Sequence, residues 1–104
     1  LYVWGSTATV DAIGAEFSDN RAGLGGGALY AEQTPLTLTD CLVVRNSAGD
    51  GGGAYLLDGA TLSSITTDWG TDADDNLPGD VFAGSEIGGY GAAATFSCTD
   101  QGCE

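Results

Sequence analysis

Residues 46–56 read Asn46-Ser47-Ala48-Gly49-Asp50-Gly51-Gly52-Gly53-Ala54-Tyr55-Leu56. A second copy lies upstream, at an offset of 26 residues throughout, and reads Asn20-Arg21-Ala22-Gly23-Leu24-Gly25-Gly26-Gly27-Ala28-Leu29-Tyr30. Asparagine, alanine and the glycine triplet occupy the same places in both copies. Self-similarity at one period is the sequence signature of repeat architectures, in which each unit packs on its neighbours.

The same offset aligns columns of residues outside the two copies. They are the apolar pairs at 3/4, 29/30, 55/56 and 81/82, and the sets Val10/Leu36/Leu62, Phe17/Val43/Trp69 and Asn20/Asn46/Asp72. Leu, Thr, Val and Tyr around these columns favour strands, whereas Gly and Asn supply the backbone angles of sharp corners. Apolar residues do not recur at the i, i+3, i+4, i+7 spacing of an amphipathic helix.

These columns predict an all-β fold, a right-handed parallel β-helix (a solenoid) of about four short coils with a period of 26 residues. At 104 residues, the chain is expected to form a single domain. The coils are predicted at 9–34, 35–60 and 61–86, followed by an irregular C-terminal coil or cap at 87–104. In that last coil, Phe96 is expected to continue the column of Trp69.

Stacked coils place each residue about 4.8 Å from its repeat partner. Asn20 and Asn46 are therefore expected to form an amide ladder at a corner. Asp19 is expected to pair with Arg45 on the neighbouring coil, although a surface ion pair contributes only about 0–1 kcal/mol. Most tyrosines and tryptophans fall in the columns, so we predict that they pack in the core or at coil ends rather than form a sugar-binding stripe.

The repeat Asn-x-Ala-x-x-Gly-Gly-Gly-Ala-Tyr resembles that of bacterial surface β-helices of the polymorphic outer-membrane protein and autotransporter-passenger type. The residues that carry the resemblance are Phe17, Asn20, Ala22, Gly26, Gly27, Ala28 and Tyr30, then Val43, Asn46, Ala48, Gly52, Gly53, Ala54 and Tyr55. It covers residues 1–60, and the third copy departs from it, with Asp72 and Asp74 at the asparagine and alanine positions. The resemblance implies a β-helix that is secreted or displayed at a cell surface.

The chain is strongly acidic. Its net charge is −13, with two arginines, no lysine and no histidine. No basic patch can form, which excludes nucleic acid as a partner, and divalent cations are favoured. No run of 18 apolar residues is present, so no insertion of a helix into a membrane is expected.

Three cysteines give an odd count. Cys98 and Cys103 are close in sequence, and a local disulfide between them is predicted, with two free thiols as the alternative. A disulfide would imply an oxidising compartment. Cys41 stands one period after Ala15, so we expect it to be a small buried apolar residue.

An acidic segment replaces the asparagine corner in the third coil. Alternate positions carry oxygen ligands suited to Ca²⁺, and the candidate site consists of Asp72, Asp74, Asn76 and Asp80. The first three match the start of an EF-hand loop, but Leu77 and Ala83 stand where that loop needs glycine and glutamate. The alternative is a solvated acidic loop, because Asp and Asn favour turns.

Catalysis is not expected, because the sequence has no histidine and no Ser or Cys with a base partner. We therefore predict a non-catalytic extracellular structural protein that associates head to tail with copies of itself into a filament. Val3 and Trp4 at one end and Tyr90 and Phe96 at the other are the predicted contact residues. The alternative is a calcium-binding adhesin or passenger segment of a larger bacterial surface protein, with a glycan or host-surface ligand. A polysaccharide-active β-helix enzyme is a third alternative.

Overall fold

The computed structural model describes residues 1–5, 9–84, 94–98 and 103. Its strands are short, as expected for segments of four apolar or β-branched residues between corners. They are β1 (Tyr2–Trp4), β2 (Val10–Ile13), β3 (Glu16–Ser18), β4 (Leu29–Glu32), β5 (Pro35–Thr39), β6 (Leu42–Val44), β7 (Ala54–Leu57), β8 (Thr61–Ile65), β9 (Val81–Ala83) and β10 (Thr95–Cys98). A 3-10 helix spans Asp72–Asp74.

The strands stack into three sheets. Their orders are β1-β4-β7-β9, β2-β5-β8-β10 and β3-β6, and the pairs between these strands are parallel. Successive strands of one sheet come from successive coils, so the chain winds as a β-solenoid. The predicted fold class is confirmed, with about three turns completed among the described residues and β10 as the one strand there from a fourth.

The register agrees with the predicted columns in two sheets and departs from them in the third. Val10, Leu36 and Leu62 are Cα partners as predicted. Phe96 pairs with Leu62, so its predicted place above Trp69 is wrong. The reason is that residues 70–84 take more chain than the same part of the coil before, which delays the return to the second sheet.

The apolar pairs predicted in the first sheet are also out of register. Tyr30 pairs with Tyr2 on one side and Tyr55 on the other, and Tyr55 pairs with Phe82. The predicted alignment of 3/4 with 29/30 is therefore wrong. Glycine loops of unequal length precede β4, β7 and β9, and they let the strands shift until aromatic residues stack on the outer side.

The glycine triplets close the corner before β4 and before β7. Gly26 and Gly51 have φ of 65° and 54°, in the left-handed region that glycine adopts without steric cost. A Cβ at either position would fall on a backbone carbonyl oxygen, that of Leu29 or Ala54. Only glycine therefore allows the coil to turn this tightly.

The core is a thin column that is better covered at its C-terminal end. Trp69 and Leu62 of the third coil are 1% and 2% exposed, whereas Val10 and Phe17 of the first coil are only half-buried. Two residues that follow the third coil, Ala94 and Cys103, belong to the buried core cluster. They help to cover that end of the apolar column.

The cysteines lie in two environments. The structure joins Cys98 and Cys103 in a disulfide, with their Cα atoms 6.1 Å apart. Cys41 is free and buried, as its position one period after Ala15 predicts. Its Sγ lies 3.3 Å from the carbonyl oxygen of Ala12, so the thiol contacts the neighbouring coil.

Candidate functional site: the asparagine corner and the acidic insertion

An amide ladder runs through the corner that follows β3 and β6. The Oδ1 atom of Asn46 accepts hydrogen bonds from the backbone N and the Nδ2 of Asn20, at 3.0 and 2.9 Å. The Oδ1 atom of Asn76 accepts the same pair from Asn46, at 3.1 and 2.9 Å. The ladder predicted from Asn20 and Asn46 is confirmed.

The third rung is Asn76, and the predicted position of Asp72 in this column is wrong. Asn76 follows Asn46 by 30 residues, whereas Asn46 follows Asn20 by 26. The third turn is therefore longer at this corner, and the extra chain contains the 3-10 helix at Asp72–Asp74. Ranking the asparagines by type rather than by a fixed period would have found this rung.

Two carboxylates end the ladder above Asn76. The backbone N of Asn76 donates to Oδ1 of Asp75 at 3.1 Å, and its Nδ2 donates to Oδ1 of Asp80 at 2.8 Å. These oxygens stand where the amide oxygen of a fourth asparagine would be. Asn76 and Asp80 are both buried, so the acidic insertion supplies interior bonds and not only a solvated loop.

Arg45 ties three coils together at the same corner. Its Nε and Nη2 each lie 2.9 Å from a carboxylate oxygen of Asp19, and its Nη1 lies 3.0 Å from Oδ1 of Asp74. The Asp19–Arg45 pair is confirmed, and Asp74 is a partner that the fixed period missed. The hydrogen bonds from Arg45 lower the pKa of Asp19 and, with those to Asp74, raise the pKa of Arg45.

The four predicted calcium ligands lie in different environments. Asp72 is exposed on the 3-10 helix, Asp74 is paired with Arg45, and Asn76 already uses its oxygen to accept two bonds from Asn46. No group of three or more His, Cys, Asp or Glu side chains in the described ranges could hold a metal ion. These residues do not fit a calcium site, and calcium binding stays a prediction without structural support.

A stack of aromatic rings follows the outer side of the first sheet. The ring centroids of Tyr2 and Tyr30 are 4.9 Å apart, those of Tyr30 and Tyr55 5.3 Å, and those of Tyr55 and Phe82 4.8 Å. Neighbouring rings are within 10–21° of parallel. Each inner ring therefore covers its neighbour's face, and those faces are not open to the flat side of a sugar ring. Burial, with a smaller effect of Glu32, raises the pKa of the Tyr30 phenol.

The predicted self-association residues lie on edge strands. Val3 and Trp4 are on β1, the first strand of its sheet, where Val3 is half-buried and Trp4 is exposed. Phe96 is on β10, the last strand of the other four-stranded sheet, and is exposed. Tyr90 lies outside the described residues.

Residues 14–32 match the model of the Chlamydia polymorphic membrane protein repeat. This segment contains the first rung of the ladder and the first glycine triplet. The match and the stacked parallel coils confirm the resemblance to a β-helix repeat of the polymorphic outer-membrane protein kind, and at this coarse level they support a bacterial surface protein. Neither curated proteins nor solved structures contain a match to the chain. The helical part of the described chain is too short to span a membrane.

Proposed function

We propose that the chain is a non-catalytic β-solenoid segment of a bacterial surface protein, a rigid scaffold of the adhesin type. The observation that carries the proposal is the repeat match at residues 14–32, inside a coil that the structure stacks on copies of itself. Such a stack holds its corners and side faces at fixed spacing along one axis. This suits a protein that displays surface features away from a cell.

The polar groups of the asparagine corner support a structural rather than a catalytic role. Asp19 and Asp74 are held by Arg45, and Asp75 and Asp80 bond to Asn76. A general acid or base must exchange a proton with substrate, whereas these carboxylates already accept hydrogen bonds that connect or cap the coils. Their arrangement is what a scaffold requires.

Surface display is tested with antibodies raised against the folded chain, applied to intact and to permeabilised cells of the bacterium that encodes it. We expect labelling of intact cells, equal in intensity to that after permeabilisation, while a cytoplasmic marker is labelled only in permeabilised cells. Labelling of this protein that also requires permeabilisation would show an internal location and overturn the proposal.

Head-to-tail self-association is the second candidate, and the ring stack favours it. The stack ends in exposed rings, with Tyr2 65% exposed at one end and Phe82 37% at the other. Phe82 of one copy stacked on Tyr2 of the next would continue the series and form a contact that does not close on itself. The covered core of the third coil and the carboxylates on Asn76 oppose growth at that end.

Sedimentation over a concentration series and negative-stain microscopy, each with calcium and with EDTA, distinguish the two candidates. Filaments that are lost in Trp4→Ser but kept in Leu24→Ser, an equally exposed apolar residue on the glycine loop, would establish self-association through β1. Filaments only with calcium would make the acidic insertion a switch. A monomer under all conditions would leave the surface-segment proposal alone.

A further inference from the structure

A groove lies where the corner of the first coil stacks on that of the second. Its volume is about 400 Å³, and it is lined by Arg21, Ala22, Gly23, Ser47, Ala48 and Gly49. The two turns are held together by a parallel bridge between Arg21 and Ser47 and by a 2.9 Å bond from the N–H of Ala22 to the carbonyl oxygen of Ser47. The floor of the groove is therefore a fixed backbone surface with small side chains.

The two arginines of the chain have different surroundings. Arg45 is neutralised by Asp19 and Asp74. Arg21 lies one coil earlier, is exposed, and takes part in none of the ion pairs found among residues 1–5, 9–84, 94–98 and 103. The groove thus has a guanidinium at its edge that the coil-to-coil bonds do not use.

We propose that this groove binds a saccharide that carries one terminal carboxylate. A guanidinium presents a planar fork of donors that matches the two oxygens of a carboxylate. Small side chains at Ala22, Gly23 and Ala48 let a sugar ring approach the backbone closely. Pockets for small ligands measure about 300–1,000 Å³, so a groove of about 400 Å³ has room for one or two sugar units.

The charge of the chain selects a single carboxylate over a polyanion. The net charge is −13, so a sulfated or polyuronate chain running along the surface meets repulsion over its whole length. Screening at physiological ionic strength limits each charge to a range of about 8 Å. A lone carboxylate within bonding distance of Arg21 is therefore dominated by the guanidinium.

Gly23 gives a way to close the groove without disturbing the fold. A Cβ at Gly23 would meet nothing within 4 Å, so a larger side chain there enters open space. At Gly49, by contrast, a Cβ would lie 2.6 Å from the carbonyl oxygen of Leu24 and would displace the backbone. Gly23→Leu is therefore the variant that tests the groove itself.

The test is a titration of the ¹⁵N-labelled chain with 3′-sialyllactose, followed by amide chemical shifts, with lactose as the neutral control. We expect saturable shifts at Gly23 and Gly49, a dissociation constant of about 1 mM for one exposed charged contact, and no saturable shifts with lactose. Arg21→Ala and Gly23→Leu should each weaken binding about tenfold or more. Gln33→Glu, an exposed position on another corner, changes the net charge as Arg21→Ala does and should bind normally.

Arg21→Lys separates geometry from charge, and we expect it to bind severalfold more weakly than the natural chain because an ammonium loses the two-pronged contact. Equal binding of lactose, unchanged binding by Arg21→Ala, or no saturable shift up to roughly ten times the expected dissociation constant would each overturn the proposal. Binding is a property of the folded chain alone, so this outcome is independent of where the protein is displayed.

Discussion

Asn76→Asp changes one atom of the ladder and removes a donor from the interior. The Nδ2 of Asn76 donates to the carbonyl oxygens of Val43 and Trp69, at 2.7 and 2.8 Å, and to Asp80. A carboxylate in its place sets oxygen against all three acceptors. Each buried group left without a partner costs about 1–3 kcal/mol, so we expect a loss of roughly 4 kcal/mol from a total of about 5–15.

The measurement is thermal and urea unfolding, followed by circular dichroism and by tryptophan fluorescence, with and without calcium. A loss of this size lowers the melting temperature by about 15–30 °C in a chain of this length. The control is Asp72→Asn, the opposite change at an exposed position nearby, which should stay within about 0.5 kcal/mol. Were Asn76 a calcium ligand, the added carboxylate would strengthen calcium binding; stabilisation of Asn76→Asp by calcium, or unchanged stability, would refute the ladder role.

Two further predictions concern the corner and the ring stack. Arg45 lowers the pKa of the Asp19 carboxyl, so the stabilisation from this pair is present above the unfolded pKa near 3.9 and is lost as pH falls through the lower folded value; NMR titration should show Asp19 returning towards its ordinary pKa in Arg45→Gln. A Cβ at Gly25 would enter the ring of Tyr55, whereas one at Gly23 meets open space; Gly25→Ala should therefore lower the stability by about 1–3 kcal/mol and Gly23→Ala should not, as measured by urea unfolding.

The sequence was sufficient for the repeat, the parallel stack and the first two ladder rungs, because Asn20 and Asn46 are separated by the same 26 residues as the strands beside them. It failed where loop length changes. Strict counting placed Asp72 in the ladder, but hydrogen-bond satisfaction in a buried corner requires an amide that both donates and accepts, which Asn76 provides. Counting also missed the outer ring stack, since packing of Tyr2 on Tyr30 overrides a one- or two-residue difference in loop length.

The acidic insertion gives the solenoid a direction. Each asparagine of the ladder accepts two bonds at Oδ1 and passes donors to the next rung, so the series continues for as long as amides follow one another. Asp75 and Asp80 accept from Asn76, but an ionised carboxylate has no donor to pass on. The ladder therefore ends at the third coil, whereas Asn20 carries the same amide group as the rungs after it. A coil with this repeat can extend the ladder only on the side of Asn20, which makes the first coil, with its half-buried core residues, the end at which stacking adds stability.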